Sequence, residues 1–184
     1  MLKNSEQGYG LVAITLHWLM AVTVIGLFAL GLYMVELSYY DAWYKGSLDL
    51  HKSVGVSLAI VLILRLAWRI SQPKPHSLAQ NTLQKRAASA VHLLLYVLLV
   101  ALVMSGYLIS TADGRAIDVF GFFEVPALGS FVENQEDLAG DIHFYLAWTL
   151  IIAVAVHALA ALKHHFINRD RTLVRMLKVT KGNS

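Results

Sequence analysis

Four histidines fall at two depths in an otherwise apolar chain. His17 lies six residues after Leu11, near one end of a hydrophobic run, and His157 lies six residues before Lys163, near the end of another. His51 and His143 each open a run at the opposite depth. Hydrocarbon offers imidazole neither water nor spare hydrogen bonds, so a histidine retained there points to a specific task. His143 and His157 are 14 residues apart, which on a helix is about 21 Å of rise and within roughly 40° of four complete turns. Both project from nearly one face, so a single helix can hold two metals, one above the other. Depth then pairs His17 with His157 and His51 with His143.

The chain contains no cysteine, which removes disulfides, iron–sulfur clusters, thiolate zinc sites and thioether-attached haem. A closed zinc site needs four ligands converging at one point, and pairs separated by about 20 Å cannot supply that. Two six-coordinate b-type haems, each held non-covalently by two imidazoles, fit the count. A flat macrocycle also needs small residues beside its ligand. Ala13 and Ala21 flank His17, Ala153 and Ala161 flank His157, Gly55 follows His51 and Ala147 follows His143 by one turn. Small residues also let transmembrane helices pack closely, so these neighbours carry weight only together with the pairs.

The remaining histidines read differently. His92 sits six residues past Arg86, at the depth of His17 and His157, and competes for that iron. Tyr96, one turn on, leaves it less room than its rivals and ranks it as a substrate contact or a neighbour of the ligands. His164 lies seven residues past His157, within about 20° of the same face, at headgroup depth where a lipid quinone can meet it. The plainer reading of His164 and His165 is a solvated interfacial pair among basic residues. His76, in a proline-flanked loop, reads as solvated.

The elements that must position these residues follow from composition. Of 184 residues, 57% are hydrophobic and 15% charged, with a mean hydropathy of +0.58, too apolar for an ordinary soluble domain. Four apolar runs, roughly 11–35, 50–70, 88–110 and 142–163, each approach the ~20 residues that a bilayer core requires. The expected fold is all-α, a four-helix transmembrane bundle forming one domain over residues 1–184. The first run is too long for the roughly 7–15-residue core of a cleavable signal and is expected to remain. Ser71–Pro75 and Asp113–Gly114 punctuate the second and third runs.

Charge sets orientation. Twelve basic residues against Glu6 and Asp170 give one side a net +10, whereas Lys45, Lys52 and Arg115 against ten acids give the other −7. By the positive-inside rule both termini are cytoplasmic. The pI of about 9.2 reflects this topology rather than nucleic-acid binding. No glycine-rich dinucleotide fingerprint or nucleophilic triad occurs. The segment Thr111–Asp141 is long for a loop, and its Phe120-Gly121-Phe122-Phe123 run reads as an interfacial aromatic anchor.

From Tyr9 to about Leu177 the chain resembles the prokaryotic cytochrome b-561 family, four-helix di-haem cytochromes linked to quinone. The resemblance is carried by His17-Trp18, by His51-Lys52-Ser53-Val54-Gly55, by Arg65 with Trp68-Arg69, and by His143 with His157. It continues in Leu162-Lys163-His164-His165-Phe166 and Thr172-Leu173-Val174-Arg175-Met176-Leu177. The helix-four spacing is also similar to that of the haem b subunits of membrane formate dehydrogenases and nickel hydrogenases. The resemblance implies two haems b, ligated by His17 with His157 and by His51 with His143. It further implies that Arg65 and Arg69 meet inner haem propionates, through a fork suited to carboxylates, and that His164 and His92 line an inner quinone pocket. Positive-inside anchoring is the plainer account of Arg69, less so of the deeper Arg65.

The implied activity is electron transfer across a bacterial inner membrane, between a periplasmic redox partner and ubiquinone or a related quinone. Some family members resemble superoxide oxidases, but an outer charge of −7 repels an anion. An anchor subunit of a larger dehydrogenase is a further alternative. A histidine-lined transporter fits less well, because no internal repeat is present.

Overall fold

A computed structural model describes residues 1–79 and 81–179; Lys181, counted above among the inner charges, lies outside them. Four long helices dominate: α1 (Leu11–Val35), α2 (Tyr44–Ser71), α3 (Thr82–Ser110) and α4 (Gln135–Phe166). Each is long and apolar enough to cross a bilayer, and the fold is a four-helix transmembrane one. Their apolar side chains cover all sides: Val22, Ile63, Leu93, Val97, Ile152 and Leu159 are exposed on the protein surface, as lipid contact requires.

Three helices start earlier than their apolar runs. α2 begins at Tyr44 rather than about 50, α3 at Thr82 rather than about 88, and α4 at Gln135 rather than about 142. Hydropathy marks where a helix enters hydrocarbon, whereas backbone hydrogen bonding starts at the cap. Asn81 shows this, its side-chain oxygen accepting from the Gln84 N–H at 2.9 Å at the start of α3. α4 opens with Glu136 and Asp137 and closes near Lys163, charges that oppose its macrodipole at both ends. In α1, the Met1 and Leu2 carbonyls accept from the Leu11 and Val12 N–H groups, which have no partner inside the helix.

The segment expected as a loop contains a hairpin, β1 (Ile117–Val119) antiparallel to β2 (Phe123–Val125). Its turn places Phe120 and Gly121 at φ 55° and 73°, a left-handed pair that lets a three-residue connection close.

The helices contribute to two compact units. One comprises residues 1–21, 61–96 and 152–184; the other comprises 22–60 and 97–151. The first has Ile14, Met20 and Leu62 in its core, and the second has Val24, Leu58, Leu98, Leu99, Ile117, Val119 and Leu150.

Candidate functional site

In the second unit, α2 and α4 bring His51 and His143 together with ring centroids 6.3 Å apart. A metal bonded to two opposed imidazoles at about 2.0 Å, with about 1.15 Å from each nitrogen to its ring centre, requires about 6.3 Å between centroids. The spacing leaves room for one metal between the two rings. Beside them lies a cavity of about 490 Å³, lined almost entirely by apolar residues, with Gly31, Gly55, Gly106 and Ala147 near the rings. That is a cofactor-sized volume, within the roughly 300–1,000 Å³ of small-molecule sites.

Hydrogen bonding sets the chemistry of His143. Its Nδ1 lies 3.1 Å from the Leu102 carbonyl, which can only accept, so Nδ1 carries the proton and Nε2 keeps its lone pair for a metal. The Ser105 hydroxyl stands 3.0 Å from the same nitrogen and donates to Leu102 O at 2.9 Å. Ser105→Ala keeps the carbonyl bond and removes the hydroxyl, and should lower the thermal midpoint by about 2–4 °C, the equivalent of one hydrogen bond. An unchanged melt would remove Ser105 from this network. His51 Nδ1 is buried with no hydrogen-bond partner among the described residues. Such a group costs about 1–3 kcal/mol, and its retention in an apolar cavity argues for use.

The hairpin roofs this cavity through Ile117 and Val125. Ser53 pins it to α2: the Phe120 N–H donates to Ser53 Oγ at 3.2 Å, and that hydroxyl donates to Asp118 O at 3.3 Å. Tyr107 ties the following strand end to α3, donating to Pro126 O at 2.8 Å and accepting from the Leu128 N–H at 3.1 Å.

In the first unit, His17 and His157 also stand 6.3 Å apart between centroids. His92 is closer to His157, at 5.3 Å, which brings the rings into edge contact and leaves no room for a metal between them. Among the described residues no group of three or more His, Cys, Asp or Glu side chains is arranged to hold a metal ion. Paired imidazoles therefore suit a metal that brings its own equatorial ligands. The Arg65 guanidinium donates to His17 Nδ1 at 2.9 Å. Both Arg65 and Arg69 stand over the Tyr96 ring, 5.7 and 5.3 Å from its centre. Arg69 and Tyr96 also line a more polar cavity of about 420 Å³ with Gln72, Lys74 and Ser89.

His164 is not a solvated bystander. Its Nδ1 lies 2.5 Å from Asp170 Oδ2. Burial alone raises the Asp170 pKa, but hydrogen bonds from Thr172 and His164 outweigh it and hold the carboxyl below its ordinary range. The residue reading missed Asp170. The available signal was that it is one of only two acids on a side carrying twelve basic residues. His76 contacts Glu6 with both side chains largely exposed, and His165 lies against Phe166.

A family model described as prokaryotic cytochrome b561 matches residues 8–178. Cytochrome b561 homolog 2 of Escherichia coli (strain K12) is 50% identical over 175 residues, covering 95% of this chain and 93% of its own. The probable superoxide oxidase CybB of Yersinia pestis is 27% identical over 180 residues, with 95% and 98% covered. Cytochrome b562 of Cereibacter sphaeroides is 27% identical over 183 residues, again with 95% and 98% covered.

Proposed function

Because the chain belongs to the prokaryotic cytochrome b561 family, we propose that it carries electrons across the bacterial inner membrane through two haems b, between a periplasmic redox partner and the quinone pool. The observation that carries this reading is the pair of imidazole couples, each with the 6.3 Å spacing of a bis-histidine metal centre. His51 and His143 hold one haem, and His17 and His157 the other. When bound, haem supplies one-electron redox chemistry that no side chain here can provide.

The chain's own residues do the rest. The Leu102 carbonyl keeps His143 in the ligating tautomer, and the hairpin adds Ile117 and Val125 to the apolar wall of its cavity. A haem held by His17 through Nε2 would require the proton on Nδ1, the nitrogen that here accepts from Arg65, and would so leave that guanidinium for a propionate. Arg69 serves the same carboxylates, and His92 and His164 line the quinone site. Both termini are cytoplasmic, consistent with the +10 and −7 charge on the two sides.

The purified, haem-loaded protein is expected to be reduced by a short-chain ubiquinol, giving a b-type reduced-minus-oxidised spectrum. A colourless, well-folded preparation overturns the reading. Superoxide oxidation has one observation in its favour, the name of the Yersinia pestis relative. Against it stand ten acids on the outer side, where Arg115 is engaged by Asp113 and Lys52, beside His51, is the one nearby attraction for an anion. Haem reduction by superoxide should accordingly be slow and should accelerate with ionic strength as repulsion is screened. Fast reduction that slows with salt reverses that ranking.

A further inference from the structure

We infer that Asp170 positions His164 as the reversible proton acceptor of the quinone site, an inference that rests on the quinone reading above. The contact is specific. Asp170 is flanked in sequence by Arg169 and Arg171, yet its ion-pair partner among the described residues is His164, at 2.5 Å. A carboxylate only accepts, so His164 Nδ1 carries a proton. No partner for Nε2 is present among the described residues, and the side chain is 27% exposed. One ring nitrogen is thus committed and the other open.

The backbone is built to make this pair. α4 ends at Phe166, and Arg169 adopts φ 53°, a left-handed conformation that side chains other than glycine rarely take. That turn brings the chain back so that the Asp170 N–H donates to His164 O at 3.1 Å. The Thr172 N–H holds Asp170 Oδ1 at 2.8 Å, and the Asn168 amide lies 3.3 Å from His164 Nδ1. Beyond the turn, Trp18 Nε1 donates to Met176 O at 2.6 Å and Arg175 donates to His76 O at 2.7 Å, fastening the returning segment.

The chemistry balances with a quinol as donor and two ferric b-type haems, each taking one electron, as acceptors. As one quinol O–H bond breaks, its proton would form an N–H bond at His164 Nε2, and one electron would pass to the first of those acceptors. His164 then releases the proton to water and takes the second, for two protons and two electrons per quinol. In reverse, the imidazolium, balanced by the Asp170 carboxylate, returns each proton to a quinone oxygen. Asp170 touches neither substrate nor cofactor; it fixes the tautomer and compensates the charge.

The test uses the full-length holoprotein and decylubiquinol in stopped flow. Asp170→Ala should lower kcat by about tenfold or more, with a raised solvent isotope effect and KM within about twofold. In the His164→Ala background it should add nothing further. Asp170→Asn, which keeps an accepting oxygen, should lose less, and Asp170→Glu should recover part of the rate. Independently of turnover, nitrogen NMR of labelled histidine should report the Nδ1–H form of His164 in the wild type and a mixture in Asp170→Ala. A fall in haem content with unchanged kcat per haem, or an unchanged isotope effect and tautomer, overturns the inference and makes Asp170 structural. If the wild type itself does not react with decylubiquinol, the quinone reading falls first. If it reacts and Asp170→Ala is silent, only the inference falls.

Discussion

Replacing His143 with alanine should remove one haem per chain and leave the other bound. His51→Ala should do the same, whereas His17→Ala and His157→Ala should each remove the other haem. His92→Ala should keep both. The expectation follows from spacing: His51–His143 and His17–His157 leave room for a metal at 6.3 Å, and His92–His157 at 5.3 Å does not. A six-coordinate b-type haem that loses one imidazole has no covalent tether to fall back on, because the chain has no cysteine. Haem extracted per protein, together with the amplitude of the reduced spectrum, reads the outcome. Loss of a haem on changing His92 but not His17 would reassign the pair in the first unit.

The second large effect is expected at Gly106. A Cβ there would sit 3.1 Å from His143 Cε1, closer than ordinary van der Waals contact, and 3.4 Å from its Nδ1. Gly106→Val therefore pushes the ring, and the ring cannot move without breaking the Nδ1–H bond to Leu102 O. Overpacking of this kind costs about 1–3 kcal/mol, equivalent to roughly 5- to 150-fold weaker retention of the haem at that site. Transfer of haem to excess apo-globin measures it. Gly26→Ala is the control, since a Cβ there meets nothing within 4 Å. Equal retention in both variants would show that His143 is free to shift and that its hydrogen bond does not govern binding.

The histidine couples were legible in the sequence because a 14-residue interval repeats one helical face, and a helix keeps that promise over its whole length. The four membrane helices were legible for a similar reason, being long and uniformly apolar. What escaped depended on chain reversals. The hairpin over the cavity rests on a left-handed Phe120-Gly121 turn and on Ser53, a residue remote in sequence. The His164–Asp170 contact rests on a left-handed arginine, a conformation that no propensity favours at that position. Helix starts were missed because capping polar groups carry no hydropathy signal.

The Ser53 pin links two events that otherwise look separate. Any movement that lifts the hairpin has to detach it from Ser53, two residues along the same helix from His51, and so disturbs the wall of the apolar cavity beside that ring. Wetting a buried redox centre shifts its potential. Ser53 alone does not decide this, because Tyr107 holds the following strand end to α3 as well, so the cover over that ring comes away only when both hydroxyls let go.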